Sequence, residues 1–272
     1  MKVLIIGGNR FVGKALAQKI LWEDTFKDRY NHGCIDVFNR SGTSPRRVNA
    51  IKGDRNNIED LKKINFNKYD CIVDMCLYKL EQFRLMRELI PNKVRYIFVS
   101  SGAVKYKDTF GSYTVEKEGI ETELKGTDLN YTIVRPSYVV GYGNHIMRLE
   151  YFIDKLIDGE DIKIDNGDCS INLVDVDDVA ECLKHIILST NDLRGKIYEI
   201  GNDTETTVNE IIDIIKKELN IEGHTTQESD ESVFPNQLFK IDNRNIKIEF
   251  GIKFNNINDI IKSFIERWKS EN

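Results

Sequence analysis

Histidine is scarce in this 272-residue chain, cysteine is unpaired, and neither a long apolar run nor an excess of positive charge is present. The four histidines, His32, His145, His185 and His224, stand far apart without a carboxylate pattern beside them, so no metal site is expected. Five cysteines, Cys34, Cys71, Cys76, Cys169 and Cys182, are odd in number and show no Cys-xx-Cys spacing. They read as reduced packing residues of a cytoplasmic protein. No apolar stretch approaches the roughly 20 residues that cross a bilayer, and no charged leader precedes the first strand, so no membrane partner is expected. With 39 basic and 44 acidic residues interspersed, the net charge is -5. That balance supplies no whole-protein field for nucleic acid or anionic lipid. Internal repeats and low-complexity tracts are absent as well.

What is present suits one large globular unit or two unequal lobes, since 40% of residues are hydrophobic and 31% charged. Short β-branched runs alternate with helical patterns: Val3 to Ile6, Ile35 to Phe38, Cys71 to Val73, Tyr96 to Ser100, Tyr131 to Val134 and Ile197 to Ile200 read as strands. They are apolar without strict alternation, which marks strands covered on both faces. The expected fold is α/β, a doubly wound parallel sheet of the Rossmann type with a small C-terminal substrate lobe. Ala15, Leu16, Ile20 and Leu21 give the first helix a buried stripe. Phe83, Met86, Leu89 and Ile90 do the same ahead of Pro91. After Gly141, helices are expected over Arg148 to Leu156, Val208 to Leu219 and about Asn258 to Trp268, a strand over Ile162 to Ile164, and a loop or linker over Gly223 to Ser232. The expected division is 1–140 with 172–202 for the dinucleotide domain and 141–171 with 203–272 for the lobe.

The first strand runs straight into Gly7-Gly8-Asn9-Arg10-Phe11-Val12-Gly13. Glycines in a strand-to-helix turn let backbone amides approach a pyrophosphate, and the following helix offers unpaired N-H groups and a positive dipole end. Where NAD binders carry a carboxylate for the adenosine ribose, this chain has Asn39 and then Arg40. An acidic residue would repel a 2'-phosphate, whereas Arg40, together with Arg10 in the turn, would attract one. NADP is therefore favoured, with NAD as the alternative. Asp54 either caps a helix or accepts a hydrogen bond from adenine, capping being the default. Met75 and Cys76, just past the fourth strand, are expected near the dinucleotide through backbone only.

About a hundred residues after the glycine turn come Ser101, Tyr113 and Lys117. Tyr113 and Lys117 are four apart in a helical stretch, so they share a face and the ammonium can stabilise a phenolate. Lowering a tyrosine from about 10 toward neutrality takes about 4 kcal/mol of preferential stabilisation of the anion. Ser101, at a strand end, can donate to the same substrate oxygen. This set suits reversible hydride transfer at a carbinol carbon, with Tyr113 moving the proton. Asp177 and Asp178 are expected to begin a helix and cap its amides.

On these motifs the chain resembles the short-chain dehydrogenase/reductase superfamily, in its NAD-dependent epimerase/dehydratase branch and the subgroup reading Gly-Gly-x-Arg-Phe-x-Gly. The resemblance runs nearly end to end. It implies cofactor contacts from Gly7, Asn9, Arg10, Phe11, Val12 and Gly13. The family's catalytic positions fall on Ser101, Tyr113 and Lys117, and its Arg-Pro segment beside nicotinamide falls on Arg135 to Gly141, with Pro136 and Val139 as contacts. Val174 to Ala180 is similar to the family's Val-Asp-Asp-Val-Ala element. Departures matter too. Gly102 and Ala103 stand where dehydratases carry an acidic pair, Ile171 stands where epimerases carry an arginine for the substrate diphosphate, and Tyr138 replaces a frequent asparagine. The implied activity is epimerisation or carbonyl reduction of a sugar-like compound. Paired helices are frequent dimer interfaces in this family, so a homodimer is an expectation. Relatives with the same glycine turn include chloroplast stem-loop-binding proteins, so an RNA-binding role is the alternative, as is a non-catalytic dinucleotide-binding regulator. The full Ser, Tyr, Lys set and the acidic balance speak against RNA.

Overall fold

The computed structural model describes residues 1–22 and 34–271. Elements follow in the order β1 (Val3–Ile6), α1 (Phe11–Ile20), β2 (Ile35–Asn39), β3 (Asn49–Lys52), α2 (Ile58–Lys62), β4 (Cys71–Asp74), α3 (Leu80–Arg87), β5 (Arg95–Val99), α4 (Lys107–Lys125) and β6 (Asn130–Pro136). Beyond these come β7 (Tyr138–Val140), α5 (Arg148–Asp158), β8 (Ile162–Ile164), β9 (Ser170–Ile171), β10 (Leu173–Asp175), α6 (Val176–Leu188), β11 (Ile197–Ile200), β12 (Thr206–Thr207), α7 (Val208–Leu219), β13 (Thr226–Glu228), α8 (Arg244–Phe250) and α9 (Ile257–Glu271). Two compact units result, 1–136 with 179–199 and 137–178 with 200–272.

The first unit holds a seven-stranded sheet in the order β11-β6-β5-β4-β1-β2-β3. From β3 through β6 every neighbouring pair is parallel. The order reverses direction at β1, which makes the sheet doubly wound and puts a ligand crevice at the carboxyl ends of β1 and β4. Strands β1 and β4 are buried at every position because helices cover both faces. Helix α1 buries Gly13, Leu16, Ala17 and Ile20, so Leu16 and Ile20 face inward as expected, whereas Ala15 is half-buried and Leu21 follows the last helical residue. Phe83 and Met86 of α3 enter a core with Tyr96, Phe98, Ile120 and Leu124, while α3 itself ends at Arg87, short of Pro91. Four strands differ in their limits from expectation: β2 continues through Asn39, β4 through Asp74, β5 is Arg95–Val99 and β6 is Asn130–Pro136. β3 is an additional edge strand. Its residues are mostly exposed, so no apolar period announces it.

The second unit is built from short strand pairs, β7 with β10, β9 with β12 and β8 with β13, and from α5, α7 and α9. β13 lies inside the stretch expected to be a loop. All three of its residues are exposed, and backbone pairing to Ile162–Ile164 alone makes it a strand. Helix α7 has a reciprocal Thr207/Glu210 capping box. It buries Ile211, Ile212 and Ile215 and packs against α9, which buries Ile260, Ile261, Phe264 and Ile265. At the start of α6 the expected caps are corrected: Asp175 Oδ1 accepts from the Asp177 amide at 2.6 Å, whereas Asp178 accepts from Asn255, N and Nδ2 both at 2.9 Å. Position 178 is thus a clasp between segments. No helix among the described residues is long and apolar enough to cross a membrane.

Candidate active site

At the carboxyl end of β1, the Gly7 amide donates to the Phe38 carbonyl at 3.0 Å, and the Met75 amide donates to Ile6 at 3.0 Å. The turn is therefore slung between β2 and β4. Gly7 has φ 89°, and a Cβ on Gly13 would lie 2.6 Å from the Gly7 carbonyl oxygen. Only glycine permits that closeness of helix and turn. Arg10 is the N-cap of α1 without a side-chain cap, and no acidic residue occupies the first turn. The helix presents uncapped amides and its positive end, as a pyrophosphate requires. Phe11 is held at φ 43°, a strained value for a non-glycine residue at the turn. A dinucleotide fits this cradle.

Beside the turn, Asn9 Nδ2 donates to Thr43 Oγ1 at 2.6 Å and to Ser41 Oγ at 3.3 Å. Ser41 Oγ donates to Asn39 Oδ1 at 2.7 Å, and Asn39 Nδ2 donates to the Thr43 carbonyl at 2.8 Å. The result is a ring of neutral side chains with Arg10 and Arg40 exposed nearby in the chain. Asp54 does not cap α2. Its Oδ1 accepts from Asn56, N at 2.9 Å, and the cap is Asn57, which accepts from Glu59.

Against the glycine turn lies Cys76, whose Sγ would be 3.0 Å from a Cβ on Gly7. Behind it is a buried ion pair that no motif or spacing announces. Arg55 Nη1 and Nη2 donate to the two oxygens of Asp74 at 2.6 and 2.9 Å, and Tyr96 Oη donates to the same carboxylate at 3.0 Å. The Cys76 amide adds a bond at 3.3 Å. Burial opposes the charge on Arg55, but Asp74 more than offsets it and the guanidinium is held above its ordinary value. Burial first, then Asp74, pushes the Cys76 thiol up, so it is a poor nucleophile.

Lys117 lies on α4, only 2% exposed. Its Nζ donates to the Val99 carbonyl at 3.0 Å and faces the rings of Phe98 at 5.0 Å, Tyr78 at 5.1 Å and Tyr113 at 5.9 Å. Desolvation pulls it down to about 8; Asp74 opposes that pull and Arg55 adds to it. Tyr113 is 39% exposed, so the phenol is open to a substrate while the ammonium behind it is sealed. Ser101, two residues beyond Val99, caps a 3₁₀ turn over Gly102–Lys105, its Oγ accepting from the Ala103 amide at 3.2 Å. Tyr78, absent from the sequence reading, is a second phenol beside Lys117; burial, then Cys76 and Tyr113, push it up. Met75 is half-buried and Pro136 buried at the end of β6. Phe11 and Val12 open α1 half-buried. Val139, in the second unit, is half-buried in β7, and its carbonyl accepts from Asn144 Nδ2 at 3.0 Å. Among the described residues no group of histidines, cysteines and carboxylates could hold a metal; His32 lies outside them.

A glycine cradle at the switch point of a doubly wound sheet, with a Tyr/Lys pair on the helix after β5, defines an α/β protein of the Rossmann type. Residues 82–201 match the model of the NAD dependent epimerase/dehydratase family, the branch that the sequence motifs resemble. Among curated proteins, the chain is 25% identical over 227 residues to the chloroplast stem-loop binding protein of 41 kDa b of Arabidopsis thaliana, covering 76% of this chain. The match spans 60% of that relative's length. Among solved structures, a UDP-glucuronic acid 4-epimerase from Bacillus cereus aligns with TM-score 0.82 at 16% identity over 100% of both chains. The UDP-glucose 4-epimerase of Thermotoga maritima gives 0.79 at 16%, covering 100% of this chain and 99% of its own. A dTDP-glucose 4,6-dehydratase from Bacillus anthracis, in complex with NAD, gives 0.78 at 16%, covering 100% and 97%. These likenesses establish the shared fold.

Proposed function

We propose that this chain is a nicotinamide-dependent epimerase or reductase acting on the hydroxyl or carbonyl of a sugar-like compound, nucleotide-linked sugars being the first candidates. The observation that carries the reading is the sealed Lys117 ammonium facing the open Tyr113 ring beside the glycine cradle. A bound nicotinamide dinucleotide would supply reversible hydride transfer. Gly7 to Gly13 and the first turn of α1 would hold its phosphates, with Asn39, Arg40, Asp54, Met75 and Cys76 lining the adenosine side and Pro136 completing the contacts. Tyr113 takes or returns the substrate hydroxyl proton at Oη, Lys117 lowers the cost of the phenolate, and Ser101 Oγ orients the substrate oxygen. Water elimination is disfavoured, since Gly102 and Ala103 offer no acid. The preference for NADP rests on Arg10 and Arg40 alone. The B. cereus and B. anthracis proteins were solved with NAD.

Purified protein should release a dinucleotide on denaturation, and Tyr113→Phe should lower turnover by about 10³-fold while changing the dinucleotide Kd less than about twofold. Full turnover in that variant removes the assigned role. Salt-dependent retention of stem-loop RNA with no nicotinamide signal would favour the kind of binding named for the Arabidopsis relative.

A further inference from the structure

Tyr113 sits two residues past a break in its own helix. Gly111 has φ 53° and ψ -133°, so the helix is interrupted there, although Thr114 Oγ1 still donates to the Gly111 carbonyl at 2.9 Å. Downstream of the break, two buried side chains one turn apart tie α4 to the strand ends. Lys117 donates to the Val99 carbonyl. Glu121, 1% exposed, accepts from Ser100 Oγ at 2.7 Å and from Arg135, Nε at 2.9 Å and Nη2 at 2.5 Å.

Val99 and Ser100 are the residues immediately before Ser101. Arg135 continues to Glu199 at 3.8 Å, and Glu199 pairs with Lys105 at 2.7 Å at the end of the turn that Ser101 caps. Charges of alternating sign, Glu121, Arg135, Glu199 and Lys105, thus run from the helix of the phenol to the turn of the serine. A buried ion pair is a weak source of stability compared with an apolar packing of equal volume, which leaves specificity of arrangement as its contribution. A helix slipping by one residue moves a side chain about 1.5 Å along the axis and about 100° around it. Displacements near 1 Å cost about 10²-fold in rate.

We propose that Glu121 is a positioning residue: through Ser100 and Arg135 it fixes the register of α4 on the carboxyl ends of β5 and β6, and so sets Tyr113 relative to Lys117 and Ser101. The inference rests on Tyr113 being the acid/base, but its main test does not need a substrate. In the protein as purified, the phenol of Tyr113 is titrated by ultraviolet difference between each protein and its Tyr113→Phe counterpart. Lys117 on α4 and Tyr78 from the loop after β4 act on that phenol, and Asp74, Arg55, Cys76 and Glu121 act on Lys117 in turn; Ser100→Ala leaves all of these in place, whereas Glu121→Gln also removes a carboxylate that favours the Lys117 charge. Glu121→Gln keeps one acceptor and removes the charge. Ser100→Ala removes only the hydroxyl arm and spares the pair with Arg135.

Both variants should raise the Tyr113 titration midpoint by about half a pH unit or more as the phenol loses its place beside the ammonium. With a turned-over substrate, kcat should fall about tenfold while KM and the dinucleotide Kd stay within about twofold. A lowered Tm with the Tyr113 titration unmoved in Ser100→Ala, whatever Glu121→Gln does, would overturn the proposal and leave Glu121 a structural ion pair. Wild-type protein that binds dinucleotide but transfers no hydride would defeat the enzymatic reading instead, and the titration would still decide the role of Glu121.

Discussion

The two ends of the crevice are built on opposite principles. At the glycine-turn end, Asn9, Asn39, Ser41 and Thr43 are exposed or half-exposed, uncharged, and bonded to one another. At the phenol end, Arg55, Asp74, Lys117 and Glu121 are buried and ionic. Exposed neutral hydrogen bonds exchange readily with water and contribute little net stability, whereas a buried charge deprived of its partner carries its full desolvation cost. The first end is therefore tolerant of change and the second is not.

The comparison is broken most sharply by Arg55→Met, which strands Asp74 without its bidentate partner. Unfolding free energy should drop by about 3–5 kcal/mol in urea titrations, and a loss below about 1 kcal/mol would show that water reaches the pair. Next comes Lys117→Met. The folded-state value of the lysine is depressed to about 8 from 10.5, so below pH 8 the fold carries the cost of a buried charge. Between about 8 and 10.5 the unfolded chain binds more protons, and stability rises with pH. Removing the charge should stabilise the protein at pH 7 by about 3 kcal/mol, less about 1 for the Val99 carbonyl left without its donor, and the gain should fade as pH rises to 10.5. On the proposed mechanism, turnover should be lost in that variant and in the parent protein should decline above about pH 8 as the ammonium loses its proton.

Gly13→Ala tests the tolerant end where it is tightest. A Cβ 2.6 Å from the Gly7 carbonyl oxygen forces helix and turn apart, and a cost of about 1–3 kcal/mol with a weakened dinucleotide Kd is expected. Ser41→Ala should change stability by no more than about 0.5 kcal/mol. An effect as large as that of Arg55→Met would erase the distinction between the two ends.

The legible parts of this molecule are those whose physics is local. β1 and β11 were readable residue for residue because β-branched apolar runs have no other stable use, and α7 because its apolar period and its capping pair sit in one window. The glycine turn and the Tyr113/Lys117 spacing are local signals too. β3 and β13 were missed: their residues are mostly or wholly exposed and are strands only by virtue of a neighbour's backbone. Arg55 and Asp74 lie 19 residues apart on separate elements, and Glu121 meets Arg135 14 residues on, so no spacing rule links them. Tyr78 reads as an ordinary loop residue until the fold sets it against Lys117.

The ring formed by Asn9, Asn39, Ser41 and Thr43 has an evolutionary consequence. Residues that bond one another in reach of solvent can be exchanged one at a time with little penalty for folding, so, on the proposed reading, descendants of this sequence would be free to drift between the two pyridine coenzymes. The machinery on the far side of the same crevice is locked against such drift.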